Sequence, residues 1–380
     1  MKLLVLGAGR VGSAMAIDLS RDSGFEVHVA DRDTGSLDRL RTEQGIPGER
    51  VDFSLSSTVR RAVENYDLVI SAVPGFLGYQ TLKSVIEAGK PVVDIAFFPE
   101  NPFELNDLAI QKGVVAVVDC GVAPGMSNLL VGHVHHLLDS TEDVEIYVGG
   151  LPVVREWPME YRAVFSPIDV IEEYTRPARL VEGGAVVTKP ALTELEQLGF
   201  PGIGTLEAFN TDGLRTLIDT IDAPTMKEKT LRYPGHVEKV RFLRHAGFFS
   251  ETPIEVSGHE IRPIDLTTSL LFPMWQLKEG EEDVTVMRIS VTGLKAGVRK
   301  RYTYDLFDRY DLQTSTTSMA RTTGYTATVV ARLLRDGVYD APGVHPPEHL
   351  APAPGCVDYI LKGLAERGIA YQETIEDLAV

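Results

Sequence analysis

The sequence predicts an α/β protein: a doubly wound parallel sheet at the N-terminal end, then a second, α+β domain. Three observations carry that reading. A short apolar run, Leu3 to Leu6, leads into the turn Gly7-x-Gly9-x-x-Gly12 and a helical pattern. Strand and helix patterns then alternate as far as Val118. After Gly149 that rhythm stops, and Pro and Gly punctuate shorter, mixed segments.

The first element, Leu3 to Leu6, is apolar without alternation, as a strand buried on both faces is. Gly7 suits the tight turn, Gly9 a close backbone approach to a pyrophosphate, and Gly12 close packing of helix on strand. Ala14 to Leu19 places apolar residues at helical spacing. Such a helix N-terminus offers unpaired N–H groups and partial positive charge to phosphates. A second strand, Phe25 to Ala30, ends on Asp31, 19 residues after Gly12. An acid there accepts hydrogen bonds from an adenosine ribose. This is a Rossmann-type fingerprint. Its candidate cofactor-binding residues are Gly7, Gly9, Arg10, Val11, Gly12, Asp31 and Arg32, joined by Ala72, Val73, Pro74 and Cys120 at later strand ends. Asp31 points to NAD, because a carboxylate repels a 2′-phosphate. Arg32 is the group that would pair with that phosphate instead.

The alternation continues with a strand at Val51 to Ser54, a helix at Val59 to Tyr66, and a buried strand at Leu68 to Val73 that Pro74-Gly75 breaks. A helix at Leu77 to Ala88 ends at Gly89, a left-handed cap. Then come a strand at Pro91 to Phe97, a helix at Phe103 to Lys112 and a strand at Val114 to Val118. In such sheets ligands bind beyond the carboxyl ends of the strands. Three ends carry small or polar groups: Ala72-Val73-Pro74, Asp94, and Asp119-Cys120-Gly121. Farther on, Gly125 to Leu138 reads as a helix and Val144 to Val148 as a strand. Tyr161 to Phe165 and Val181 to Thr188 are strand candidates, and Val284 to Val291 pairs with Arg301 to Phe307 around Gly293 to Gly297. Ser318 to Leu334 is a long helical stretch. The expected division is 1–122 for dinucleotide binding, 123–315 for a second domain, and 316–380 for a segment returning to the first.

The chain has 380 residues, enough for two sizeable cores, and 44% of them are apolar. A formal net charge of −17 argues against nucleic acid or an anionic membrane as partner. Two cysteines, Cys120 and Cys356, suggest no disulfide framework. With an N-terminal apolar run too short for a secretory signal, the expected location is the cytoplasm.

Several stretches resemble one family. VVDIAFFPENP (Val92 to Pro102) and DCGVAPGMSNLLVGH (Asp119 to His133) are similar to the saccharopine dehydrogenase-like oxidoreductases. GGLPV (Gly149 to Val153), EEYTRPARLV (Glu172 to Val181), LEAFNTDGLRTL (Leu206 to Leu217) and MKEKTLRYPGH (Met226 to His236) resemble the lysine 6-dehydrogenases within that family. The resemblance implies a catalytic second domain containing a mixed sheet, and a homodimer built largely through it. It implies NAD-dependent oxidative deamination of the ε-amine of L-lysine to 2-aminoadipate 6-semialdehyde, which cyclises to piperideine-6-carboxylate. Saccharopine or carboxynorspermidine chemistry is the alternative within the architecture, and a non-catalytic NAD-binding sensor the alternative outside it.

Such chemistry needs a proton acceptor, an anchor for the α-carboxylate and an acidic partner for the α-ammonium. Asp94 and Asp119, at strand ends, are the candidate acceptors, and each also suits a loop cap. Cys120 beside them reads as a buried, inert thiol. Arg176, Arg215, Lys229 and Arg232 are the candidate anchors, with Arg215 and Arg232 first. Arg215 follows Thr211-Asp212-Gly213, which reads as a helix N-cap. Lys227 reads as a solvated charge. Tyr161, Tyr174 and Tyr233 offer hydroxyls. His133, His135 and His136 share a helical stretch, but no further cluster in the sequence completes a ligand set, so no metal is expected.

Overall fold

The computed structural model describes residues 1–379. Strands and helices alternate first: β1 (Lys2–Leu6), α1 (Arg10–Ser20), β2 (Glu26–Asp31), α2 (Thr34–Gln44), β3 (Gly48–Arg50), α3 (Ser56–Val63), β4 (Leu68–Ser71), α4 (Gly75–Glu87), β5 (Val92–Asp94), α5 (Asn106–Lys112) and β6 (Val115–Val117). The middle of the chain forms α6 (Met126–Leu137), β7 (Ser140–Pro152), α7 (Pro167–Thr175), β8 (Ala178–Glu182), β9 (Ala185–Lys189), β10 (Glu196–Phe200), β11 (Gly204–Asn210), α8 (Leu217–Thr220), β12 (Thr225–Arg232) and α9 (His236–His245). Then follow β13 (Ile254–Val256), β14 (His259–Ile261), α10 (Pro263–Trp275), β15 (Asp283–Lys295), β16 (Val298–Arg309), α11 (Ser318–Arg335), β17 (Gly343–His345), α12 (Pro347–Leu350), α13 (Cys356–Ala365) and β18 (Tyr371–Asp377).

The first sheet has seven parallel strands in the order β17-β6-β5-β4-β1-β2-β3. It is the Rossmann-type, doubly wound sheet of an α/β protein. Successive residues of β1 enter opposite cores: Leu3 and Val5 pack with α1 on one face, Leu4 and Leu6 with Val59 and Leu82 on the other. The strand order reverses between β1 and β4, so a crevice opens where Leu6 and Ser71 lie side by side. The second sheet is mixed and has nine strands. Its spine runs β10-β11-β12-β7-β15-β16-β18, with β8 and β9 branching from β12. β12 and β7 are parallel, whereas β15 is antiparallel to β7. One apolar core runs through both sheets, from Leu3 and Met15 to Ile146 and Met287. Among the described residues no helix is long and apolar enough to cross a membrane.

Several expected elements differ. The third strand is Gly48–Arg50; Val51 to Ser54 instead turns, held by Asp52 accepting from the Ser54 N–H, while Val51 and Phe53 still reach the core. Tyr161 to Phe165 is not a strand. It is apolar because Tyr161 and Ala163 pack with Trp275, and only Ala163 bridges to Gln276. Val181 to Thr188 is the hairpin of β8 and β9, turning at Gly183-Gly184, both at positive φ. Arg215 is not in a first helical turn: its φ is +54°, and α8 starts only at Leu217.

The last segment divides between the sheets rather than returning wholly to the first. α11 lies on α1, with Gly324 against Met15 and Val11, and Arg332 donating to Asp18 at 2.7 Å. β17 extends the parallel sheet beside β6. β18, in contrast, pairs with β16 at the edge of the mixed sheet.

Candidate active site

A cavity of about 1710 Å³ lies between the two sheets. One end sits over the glycine turn. Gly7 has φ +109°, and a Cβ there would come 2.7 Å from the Ala72 carbonyl oxygen. A Cβ on Gly12 would overlap the Gly7 carbonyl, whereas Gly9 faces open space. That leaves a side-chain-free cradle at the start of α1, the shape and partial charge a pyrophosphate requires. Gly7, Gly9, Arg10, Val11, Gly12, Asp31, Arg32, Ala72, Val73 and Pro74 all line the cavity. Cys120 does not: it is wholly buried behind Gly121, and burial raises its thiol pKa. Asp31 is held by two backbone N–H donors, Ala8 at 2.5 Å and Asp33 at 2.8 Å. Arg32 and Arg39 stand at the same end. Arg10 crosses to the second domain, donating to the carbonyls of Ala163 at 3.3 Å and Leu277 at 2.8 Å.

Asp94, Asp119 and Arg215 are brought together, but behind the cavity wall. None of them lines it. Asp94 is fully buried at the end of β5, and burial pushes its carboxyl up to about 8. Asp119 takes both arms of Arg215, Nε at 3.0 Å and Nη2 at 3.1 Å, while Arg215 Nη1 donates to the Phe98 carbonyl at 2.5 Å. A buried guanidinium needs such partners, and having them it has no free face for a ligand.

The other end of the cavity belongs to β12 and α7. Alternation along β12 turns Glu228, Thr230 and Arg232 to the cavity. Lys227 and Lys229 face the other way, to Glu145 at 2.7 Å and Glu196 at 2.6 Å. Arg232 is inside but compensated: its Nη2 meets Glu173 at 2.6 Å and its guanidinium lies 4.5 Å from the centre of the Tyr161 ring. Glu228 is only 4% exposed. Its Oε2 accepts from Thr211 Oγ1 at 2.5 Å, and burial pushes its carboxyl up to about 8. Arg176, at the end of α7, stacks 4.7 Å from the Phe97 ring centre and pairs through Nη2 with Glu172 at 3.1 Å. Its Nη1 is buried and has no partner among the described residues. Asp169, Glu172, Glu173 and Asp212 add further carboxyl groups to this wall.

Tyr161, Tyr174 and Tyr233 do not line the cavity. The Tyr161 and Tyr174 hydroxyls serve Arg232, and that of Tyr233 donates to the Pro152 carbonyl. His135 and His136 meet His345 and His349 around a second cavity of about 450 Å³, a convergence that depends on the distant β17–α12 segment. Among the described residues no three His, Cys, Asp or Glu side chains form a metal-binding group. Glu228, Thr211, Thr230 and Asp169 are absent from the sequence candidates. The signal for two of them was present: once Arg232 faces inward, period-2 alternation brings Thr230 and Glu228 with it.

A glycine cradle at a strand-order reversal, roofed by a mixed sheet with charged walls, defines a nucleotide-dependent oxidoreductase of two domains. The model of the saccharopine dehydrogenase C-terminal domain matches residues 121–369, and that of the saccharopine dehydrogenase NADP binding domain matches residues 3–117. The chain belongs to the saccharopine dehydrogenase family. It is 24% identical to the saccharopine dehydrogenase [NADP(+), L-glutamate-forming] of Schizosaccharomyces pombe, over 99% of each chain. It is 25% identical to mouse mitochondrial alpha-aminoadipic semialdehyde synthase, over 69% of this chain and 30% of that protein. In fold it is similar to apo saccharopine dehydrogenase (L-Glu forming) from Saccharomyces cerevisiae, with a TM-score of 0.80 and 20% identity over 99% of each chain. It is also similar to homospermidine synthase from Legionella pneumophila, at 0.69 and 11% identity over 99% of this chain and 91% of that one.

Proposed function

We propose that this protein is an NAD-dependent amino-acid dehydrogenase that oxidatively deaminates the ε-amine of L-lysine to 2-aminoadipate 6-semialdehyde, which then cyclises. The observation that supports lysine is the charge balance at the β12–α7 end. Arg232 is spent on Glu173 and Arg215 on Asp119, which leaves Arg176 Nη1 as the unpartnered guanidinium nitrogen on that wall. Asp169, Glu172, Glu173, Asp212 and Glu228 line the same cavity, with Glu172 paired to Arg176 Nη2. One anchor for a carboxylate amid several acids suits a substrate with one carboxylate and two amines. Saccharopine adds a dicarboxylate arm, for which that wall offers, among the described residues, no second buried guanidinium nitrogen without a partner.

In this reading the turn at Gly7, Gly9 and Gly12 holds the pyrophosphate of the cofactor and Asp31 its ribose hydroxyls. Bound nicotinamide supplies the hydride acceptor. Arg176 orients the α-carboxylate, and the surrounding acids hold the ammonium groups. The same reading carries a homodimer formed through the second domain, whose surface exposes Trp157, Leu266 and Leu270, and a cytoplasmic location. Sedimentation tests the dimer.

A second reading, oxidation of saccharopine with NADP, is favoured by the names of the relatives and by Arg32 and Arg39 at the adenosine end. The deciding experiment follows NADH and NADPH formation with lysine, ornithine, saccharopine and carboxynorspermidine. Turnover of lysine with NAD supports the proposal, and turnover of saccharopine alone replaces it.

A further inference from the structure

We infer that Glu228 is the proton acceptor for the substrate amine. The inference rests on the reading of the protein as an amine dehydrogenase, and it names a residue that the sequence did not single out.

Asp94 and Asp119 stand behind the wall and cannot touch a ligand in the cavity. Of the acids that line it at the β12–α7 end, most are already engaged. Glu173 holds Arg232 at 2.6 Å. Asp212 holds Arg179 through both oxygens, at 2.8 and 3.0 Å. Glu172 pairs with Arg176 and is nearly half exposed. Asp169 accepts from the Gly75 N–H at the start of α4, which ties α7 to the first domain. Among the described residues Glu228 has no cation partner. It is held by neutral donors instead, the Thr211 hydroxyl and the Gly213 N–H. Gly213 is part of the construction, because a Cβ there would overlap the Glu228 carboxyl carbon and Oε2. A buried carboxylate with no counterion is costly, and an incoming ammonium is the counterion that removes that cost.

The step balances within the protein and substrate. The Glu228 carboxylate takes a proton from the substrate ammonium. One N–H bond breaks, one O–H bond forms, and the nitrogen keeps the electron pair as a neutral amine. Only that pair can become the π bond of an iminium. The groups facing Glu228 set its readiness. Glu173 on α7 and Asp212 after β11 disfavour its charge; the Thr211 hydroxyl and the Gly213 N–H, which donate to it, favour it, and Thr230 sits beside Thr211 at 2.9 Å. Asp169 and Arg176 of α7 and Arg232 of its own strand line the same cavity. Burial outweighs the two donors, so the carboxyl is pushed up to about 8. The acceptor form is therefore gained as pH rises through that value.

The test measures kcat/KM for lysine against pH in wild type, Glu228→Gln and Thr211→Val, together with proton release when lysine binds. General bases contribute about 10²–10⁴-fold, so Glu228→Gln is expected to lose at least about 100-fold and the rising limb centred near pH 8. Thr211→Val removes a donor to the carboxylate and is expected to move the limb to higher pH while turnover persists there. Calorimetry at pH 7 in buffers of different ionisation heat is expected to show about one proton released per lysine bound by wild type and none by Glu228→Gln. The inference is overturned if wild type oxidises lysine and Glu228→Gln keeps both its kcat/KM and its pH limb. It is equally overturned if the substitution raises only KM with the limb in place. Should wild type oxidise no amine at all, the amine dehydrogenase reading itself falls, which is a different result from either.

Discussion

Arg215 and Asp119 form a two-armed ion pair, 3.0 and 3.1 Å long, across 96 residues of chain. Both are nearly inaccessible, at 5% and 1% exposure. The pair fastens the loop before α8 to the end of the parallel sheet, and its carbonyl contact at Phe98 adds a third attachment. Removing one partner leaves a buried charge uncompensated, which costs about 3–5 kcal/mol. Arg215→Gln is expected to destabilise the protein by that order in urea unfolding. Asp119→Asn added to it is expected to recover part of the loss. If Arg215 instead held substrate, stability would stay near wild type and only activity would fall.

Arg176 carries the opposite expectation. Its Nη1 has no partner, so a bound carboxylate would complete it. Loss of such a partner costs about 2–5 kcal/mol, or ~30-fold to several-thousand-fold in kcat/KM. Arg176→Gln is expected to lose activity on lysine within that range. It should change little of any activity on cadaverine, which lacks the carboxylate. Equal losses on both substrates would assign Arg176 to packing on Phe97 rather than to recognition.

Cofactor choice turns on Asp31 against Arg32 and Arg39. The backbone N–H groups of Ala8 and Asp33 fix the Asp31 carboxylate beside the glycine turn, and a carboxylate there repels a 2′-phosphate. Asp31→Ser is expected to weaken NAD binding and to narrow the preference over NADP. Titration of both nucleotides by fluorescence quenching checks it. A wild type that binds NADP more tightly than NAD shows that the two arginines dominate.

Burial of Asp94 ties stability to pH. Its folded-state carboxyl ionises near pH 8, against about 3.9 for an unperturbed Asp. Between those values the folded state holds a proton that the unfolded chain has released. Stability from this group is therefore fully present below about pH 4 and is lost as pH rises through about 8. Asp94→Asn is expected to flatten the decline in unfolding free energy measured between pH 5 and pH 8. An unchanged slope would mean that other acids, such as Glu348, whose carboxyl burial pushes up to about 7, set it.

The parallel sheet was legible because its signals are local. A glycine turn, the strand before it and the acid after it all lie within some thirty residues, and each obeys rules of backbone geometry and burial. The hairpin of β15 and β16 was legible for the same reason, as its strands adjoin and turn at Ala296-Gly297, both at positive φ. Tyr161 to Phe165 misled because an apolar run serves equally as a strand or as packing for a distant tryptophan. Arg215 misled because Thr-Asp-Gly suits an N-cap, while a positive φ and a carboxylate 96 residues away took the side chain elsewhere.

By itself the sequence determined the class of fold, the cradle at Gly7 to Gly12 and the family, since these follow from short-range patterns. It also determined which residue types were at hand for the chemistry. Only the tertiary structure decided which of them reach the cavity. Asp94, Asp119 and Arg215 lie together behind the wall, where Arg215 and Asp119 neutralise each other, while on the wall Glu228 is left without a cation and Arg176 with an unpartnered Nη1 among the described residues. That division depends on β12 lying parallel to β7 and on α7 and the Thr211–Gly213 loop closing over its inward face. Strand alternation says that Glu228, Thr230 and Arg232 share a side; the assembly of the second sheet against the first makes that side the inside.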